Sequence, residues 1–295
     1  MIANTMRVRR ERLSEAVRRR NLKKGLYLIP SLFTAANIGM GFYAVMQTMH
    51  GFQLVGIGGE ENLARAAQYF DFSARALGWA VLFDSLDGRI ARMTKTTTEI
   101  GVQLDSIADM LTFGIAPAAL IYAWSYGSVF PENSTIHKIG WFISFMLVVC
   151  GAFRLARFNV QATRPRVLAE GATKVDKKSF VGLPIPAAAG LLAAIVHFSP
   201  APLVTKTAEQ ATNYGALMMV LVAALGALMV STFRYTSFKS VGQSRRSTRF
   251  ALIALAAFVM LIWLFSREVL LAAAAAYAAH GVLLYLASFF RRKPQ

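Results

Sequence analysis

Stretches of about 20 mainly apolar residues, long enough to cross the hydrocarbon core of a bilayer, recur along this 295-residue chain. They can be placed at roughly 28–49, 72–93, 99–124, 139–160, 181–199, 214–235, 250–266 and 269–290. With 56% apolar residues, 16% charged residues and a mean hydropathy of +0.46, an ordinary soluble domain is excluded. The pattern predicts an all-α polytopic membrane protein. Asp71 and Arg75 interrupt the second stretch, and residues 50–64, with Gly-Ile-Gly-Gly-Glu-Glu, read as a connecting loop. No internal repeat is visible.

Charge placement tests this map independently, because cytoplasmic loops carry the excess of Lys and Arg. With the N-terminus inside, 27 of the 32 basic residues fall on the inner side, in 1–24, 89–95, 154–178, 234–249 and 291–293. Only Arg65, Arg75, Lys138, Lys206 and Arg267 fall on the other. An even number of spans with both termini cytoplasmic follows. The same asymmetry explains the net charge of +17 without nucleic acid, since the basic residues flank spans and face anionic headgroups. Residues 1–24 read either as an amphipathic helix on the cytoplasmic leaflet or as a basic tail that sets orientation, and not as a secretory signal.

Against this background, four carboxylates are out of place. Asp84, Asp87, Asp105 and Asp109 lie within two apolar segments, where one aspartate costs roughly 2.5 to 3.5 kcal/mol. Asp84, Asp87, Gly88, Ala91 and Arg92 are related by helical steps of three and four, as are Gly101, Asp105 and Asp109, so each set occupies one helix face. Thr96-Thr-Thr-Glu99 has the spacing of a capping box, so the third span begins near Thr97 and forms a tight hairpin with the second. The four aspartates then converge. Carboxylates without His or Cys select a hard cation such as Mg²⁺, Mn²⁺ or Ca²⁺. Four can hold two ions, an arrangement suited to phosphoryl chemistry. Gly88, Ala91 and Gly101 leave room for a bulky group, and Arg92 offers a phosphate partner. The competing reading is a salt-bridge network with Arg89, Arg92 and Lys95, but Asp105 and Asp109 have no cation on their own helix.

The run D-x-x-D-G-x-x-A-R from Asp84 to Arg92, then eight residues, then G-x-x-x-D-x-x-x-D from Gly101 to Asp109, resembles in full the signature of the CDP-alcohol phosphatidyltransferase family. Asp105-Ser-Ile-Ala-Asp-Met-Leu-Thr-Phe-Gly, Arg154-Leu-Ala-Arg-Phe-Asn159 and Phe180-Val-Gly-Leu-Pro-Ile-Pro-Ala187 are similar to its serine-using branch. The resemblance covers roughly residues 28–235. It implies a six-helix catalytic core over 28–235, preceded by a basic segment 1–27 and followed by two additional helices and a basic tail in 236–295. It further implies a homodimer that moves a phosphatidyl group from CDP-diacylglycerol to an alcohol with release of CMP. In the same terms Asp84, Asp87, Asp105 and Asp109 are metal ligands for Mg²⁺ or Mn²⁺, with Asp109 also a general base. Thr34, Asn37, Gly88, Ala91, Arg92 and Gly101 are implied to accommodate the CDP moiety. The site would face the cytoplasm from a bacterial cytoplasmic membrane.

For L-serine as acceptor, Arg154 and Arg157, one turn apart, with Asn159 beside them, can bind a carboxylate. They can equally be arginines snorkelling to the interface, and resemblance favours the first reading. Pro184 and Pro186 either open a cavity or fix the first turn of the fifth span. Glycerol 3-phosphate, inositol or its phosphate, and choline are the competing acceptors. A divalent-cation transporter is a rival of another class, but it predicts acidic residues spread across the membrane depth. Cys150 reads as a packing residue, the Ala272–Ala276 run as a close-packing helix face, and His50, His137, His197 and His280 as scattered polar residues near span ends.

Overall fold

The computed structural model describes residues 32–94, 99–163, 179–232, 234–236 and 260–291. The basic N-terminal segment, the inner loop 164–178, most of the span expected at 250–266 and the capping residues before Glu99 lie outside the described residues. Helix α1 (residues 32–57) and α2 (Glu60–Thr94) are followed by α3 (Glu99–Asp109), a π turn (Met110–Ile115), α4 (Ala116–Trp124) and α5 (Tyr126–Val129). Then come α6 (Thr135–Thr163), strand β1 (Ser179–Val181), α7 (Ile185–Phe198), α8 (Ala208–Val230), strand β2 (Arg234–Thr236) and α9 (Ser266–Arg291).

Four stretches among the described residues are long and apolar enough to cross a membrane: Ile100–Val129, Thr135–Val160, Ile185–Thr205 and Ala208–Val230. Phe42, Trp79, Trp141, Phe142 and Phe153 are each more than half exposed. In water such a surface drives association, whereas in lipid tails it costs nothing. The protein is an integral membrane protein built of packed helices. Its core is rich in small side chains, with Ala188, Ala189 and Ala193 of α7 buried, and α7 packs between α2 and α9. Cys150 on α6 meets Gly226 on α8, where an added Cβ would sit 3.5 Å from the thiol, so it serves the packing role expected of it.

The polar stretch at 50–64 is not a loop. Helix α1 continues to residue 57 and α2 begins at Glu60, leaving a turn of Gly58 and Gly59 with φ of 74° and 88°. Glycine alone adopts that left-handed region cheaply. The Gly58 amide donates to the Leu54 carbonyl, the Asn62 side chain donates to the Gly58 carbonyl, and Glu60 and Glu61 occupy the positive end of α2. The same residues that look like a loop in sequence are helix stop and start signals. Helix α2 is therefore 35 residues, about 52 Å, long.

The third span is interrupted immediately after Asp109 by the π turn. Pro117, in the first turn of α4, has no N–H to give to the turn before it, which lowers the cost of a local register shift there. The shifted turn buries Thr112 against α1, where its Oγ1 donates to the Asn37 carbonyl at 3.1 Å. Opposite it, a Cβ on Gly41 would stand 2.3 Å from Thr112 Oγ1 and 2.9 Å from its Cα. Only glycine allows α1 this close.

The chain leaves α8 at Val230, earlier than the expected 235, and joins a short antiparallel ladder that hydropathy gave no sign of. Ser179 pairs with Thr236, Phe180 with Tyr235 and Val181 with Arg234. Gly182, at φ 83°, follows, and a Cβ there would meet the Met229 carbonyl at 2.4 Å. The Leu183 amide then donates to Leu228. This clip seats the start of α7 on the end of α8, and Pro184 and Pro186 open α7 in the helix-starting role.

His197 is no interfacial residue. It is 5% exposed, its Nδ1 bonds Asp71 Oδ1 at 2.5 Å, and its Nε2 bonds Ser266 Oγ at 3.1 Å. Asp71 also pairs with Arg75 at 2.7 Å. Asp71 thus joins His197 and Ser266 in a chain across α2, α7 and α9, with the exposed Arg75 at its outer end. His137 is likewise engaged, with Nδ1 donating to the Phe130 carbonyl at 3.0 Å and Nε2 accepting from Tyr122 Oη at 2.9 Å.

Two outcomes test this packing. His197→Ala, which strips Asp71 and Ser266 of a partner, is expected to lower stability by about 1.5 to 3 kcal/mol, read as a lower Tm of the detergent-solubilised protein. Gly41→Ala should cost about 1 to 3 kcal/mol by overpacking and reduce turnover as well, because it pushes α1 off the turn that follows Asp109; a Tm and activity equal to wild type would contradict the close approach.

Candidate active site

The site lies where Asp84 of α2 comes close to two aspartates of α3. Asp105 and Asp109 are one turn apart on α3, and Asp84 comes from α2. Each is half-buried, and one carboxylate oxygen from each lies within 4.8 Å of the others. Three of the four aspartates named by the sequence are therefore brought to one point; the side chains of Asp87, Ala91 and Arg92 lie outside the described residues. At such a separation two carboxylates repel by about 3 to 4 kcal/mol at an effective dielectric constant of about 20. Oxygen-only donors under that repulsion fit a hard divalent cation, so the cluster can hold a divalent metal ion.

Gly101 precedes Asp105 by one turn and is exposed, and Gly88 follows Asp84 by one turn and is half-buried. Neither carries a side chain to fill the space beside the carboxylates. Thr34 and Asn37 sit on α1 and are 7% and 0% exposed. The Phe33 and Phe83 rings, each next in sequence to a site residue, lie 6.4 Å apart between centroids, which brings this part of α1 alongside Asp84. Both polar atoms of the Asn37 amide are buried with no hydrogen bond among the described residues. A buried amide in that condition is set to receive a ligand or water.

The three residues expected to hold serine have different partners. Arg154 on α6 is half-buried, within electrostatic range of Asp109, and its Nε is buried without a hydrogen bond. Arg157 donates from Nη1 to the Val230 carbonyl at 3.4 Å, a helix-end contact on α8. Asn159 donates to Ser106 Oγ at 2.8 Å, and Ser106 in turn donates to the Val102 carbonyl at 3.0 Å. Arg154 thus lies within electrostatic range of the carboxylate site, while Arg157 and Asn159 bond to α8 and α3.

Sequence reasoning missed Ser106, Thr112 and Tyr277 as parts of this neighbourhood. Ser106 is adjacent to Asp105, and Thr112 follows Asp109 by three residues, so proximity in sequence was a usable signal for both. Tyr277 had only its place as an aromatic with a polar tip beside an alanine run. Its electrostatic interaction with Arg154 depends on how α9 packs.

Comparison with known proteins bears on the same residues. The CDP-alcohol phosphatidyltransferase family matches residues 27–217, which contain every aspartate of the cluster. A Helicobacter pylori protein named CDP-diacylglycerol–serine O-phosphatidyltransferase is 31% identical over 261 residues, 88% of this chain and 92% of its own. Proteins of the same name from Methanocaldococcus jannaschii and Saccharomyces cerevisiae are 33% identical over 159 and 178 residues, covering 54% and 60% of this chain and 61% and 55% of theirs. A converging aspartate cluster that carries the signature spacing, inside a match spanning most of the helical core, leaves one assignment: the chain belongs to the CDP-alcohol phosphatidyltransferase family.

Proposed function

We propose that this protein transfers the phosphatidyl group of CDP-diacylglycerol to the hydroxyl of L-serine, giving phosphatidylserine and CMP. The observation that carries the reading is the convergence of Asp84, Asp105 and Asp109 within 4.8 Å. The names of the relatives, above all the one aligned over nearly its whole length, support serine as acceptor. The proposal includes the finer architecture: a six-helix core over 28–235 with two further helices, both termini cytoplasmic, a homodimer, and a site facing the cytoplasm of a bacterial cell.

Asp84, Asp105 and Asp109, with Asp87 by the signature, would hold Mg²⁺ or Mn²⁺, as a pair of ions. Such ions supply neutralisation of the diphosphate and stabilisation of the leaving oxygen. Thr34 and Asn37 bind the nucleotide side, and Gly88, Ala91 and Gly101 leave it space beside Arg92. Arg154 receives the carboxylate of serine by charge-assisted hydrogen bonds. In the displacement, the serine oxygen forms a bond to the lipid-bearing phosphorus as the bond from that phosphorus to the CMP oxygen breaks. Asp109 accepts the hydroxyl proton. A carboxylate is a weak base, so holding the hydroxyl in line contributes more than basicity does.

The purified protein is expected to release CMP from CDP-diacylglycerol only with L-serine and a divalent cation. Chelation should abolish release, Mg²⁺ or Mn²⁺ should restore it, and Asp109→Asn should lower kcat by about 100-fold or more. CMP release with glycerol 3-phosphate, inositol or choline in place of serine would overturn the acceptor. No release with any of them, from folded protein, would favour cation transport instead.

Arg154→Ala should raise the KM for serine roughly 10- to 100-fold, the loss of a hydrogen-bonded charge pair. Arg157→Ala should act mainly on Tm, because its guanidinium rests on a helix-end carbonyl. Equal effects of the two substitutions on the serine KM would contradict this division.

A further inference from the structure

A second cluster of reactive side chains lies well away from the metal-binding carboxylates, with Asp71 thirteen residues, about 20 Å, before Asp84 on α2. Asp71 Oδ1 is 2.5 Å from His197 Nδ1, and His197 Nε2 is 3.1 Å from Ser266 Oγ. Arg75 pairs with the other Asp71 oxygen at 2.7 Å, so the carboxylate acts as an acceptor only. Nδ1 then carries the proton of the neutral imidazole, and Nε2 is left to accept from the Ser266 hydroxyl. A hydroxyl given to Nε2, with Nδ1–H given to a buried carboxylate, is the order of contacts by which serine hydrolases activate their nucleophile.

The position of Ser266 adds to this. It is the first residue of α9 and half-buried, whereas His197 and Asp71 are buried. The Phe265 amide bonds back to the Leu261 carbonyl, and the Phe265 carbonyl accepts the first bond of α9, from Val269. The amides of Arg267 and Glu268 fall ahead of that bond, where the N–H groups of a helix have no acceptor within it and the dipole is positive. Directly after the serine, they are placed to stabilise an oxyanion formed at its hydroxyl. Trp263, Leu264 and Phe265, each more than half exposed, lead into Ser266. In a membrane protein such side chains face lipid, so the esters that reach the serine are those of acyl lipids.

We propose that Ser266, His197 and Asp71 form a second active centre that hydrolyses the carboxylic esters of acyl lipids, independent of the reaction at the metal-binding aspartates. Ser266 Oγ forms a bond to the ester carbonyl carbon while its proton passes to His197 Nε2. The bond from that carbon to the alcohol oxygen then breaks, the alcohol leaves with the proton, and the acyl group stays on Ser266. Water completes the cycle: its oxygen bonds to the acyl carbon, its proton passes through Nε2 to Ser266 Oγ, and the fatty acid departs. Asp71 holds the imidazole in its tautomer and stabilises the charge the ring gains.

The detergent-solubilised full-length protein, treated with a fluorophosphonate, is expected to take one phosphonyl adduct per chain, located at Ser266 by peptide mass spectrometry. It should also release p-nitrophenol from p-nitrophenyl decanoate in mixed micelles. Ser266→Ala should lose both reactions, and Asp71→Asn should slow both by about 1,000-fold or more. Folded wild type that takes no adduct overturns the inference, whatever the stability of the variants. So does an adduct or ester hydrolysis that persists in Ser266→Ala, or an adduct on Ser266 without p-nitrophenol release; the chain from Asp71 to Ser266 is then a packing device alone.

Discussion

Mutual repulsion among three carboxylates is the constraint around which the rest of this fold is arranged. Asp84, Asp105 and Asp109 approach within 4.8 Å in a half-buried setting, a geometry that separated helices would relax at once. A divalent cation bound there would attract every member of the cluster at the same time. The surrounding protein supplies rigidity. Helix α3 is fixed to α6 through Ser106 and Asn159, and the turn after Asp109 is pressed onto α1 through Thr112 and Gly41.

The π turn is where local structure and chemistry meet. An α-helix continued through Met110 would put Thr112 at a different angle to α1, and the close contact with Gly41 would not form. Distortions of this kind concentrate near functional sites because they re-aim side chains without breaking the helix. Here the distortion begins at the residue after the last aspartate, so Asp109 keeps α-helical register with Asp105 while the chain beyond it turns to grip α1.

Much of this was legible in the sequence, and the exceptions have physical reasons. The apolar stretches and the spacing of the aspartates identified membrane-spanning helices and the convergence of Asp84, Asp105 and Asp109, because helix period and lipid solubility are local properties; the tight turn expected before the third span lies outside the described residues. The loop expected at 50–64 failed because Gly58, Gly59, Glu60 and Glu61 are polar or small, as loop residues are, yet they act as stop and start signals of two helices that almost touch. His197 was misread because its meaning depends on Asp71, 126 residues away. The pairing of β1 with β2 is likewise a long-range event, invisible to any window of sequence.

Helix α2 carries both polar stations of the molecule, the Asp71 chain near one end and Asp84 thirteen residues, about 20 Å, further on. Each faces different helices, Asp71 bonded to α7 and, through His197, to α9, and Asp84 close to the aspartates of α3. A rod of about 52 Å crosses a hydrocarbon layer of about 30 Å with length to spare. Longer than the layer it crosses, such a rod is accommodated by tilting. Tilting carries Asp84 with it, so the thickness of the surrounding lipid becomes one of the variables that set how deep the carboxylate cluster sits beneath the headgroups.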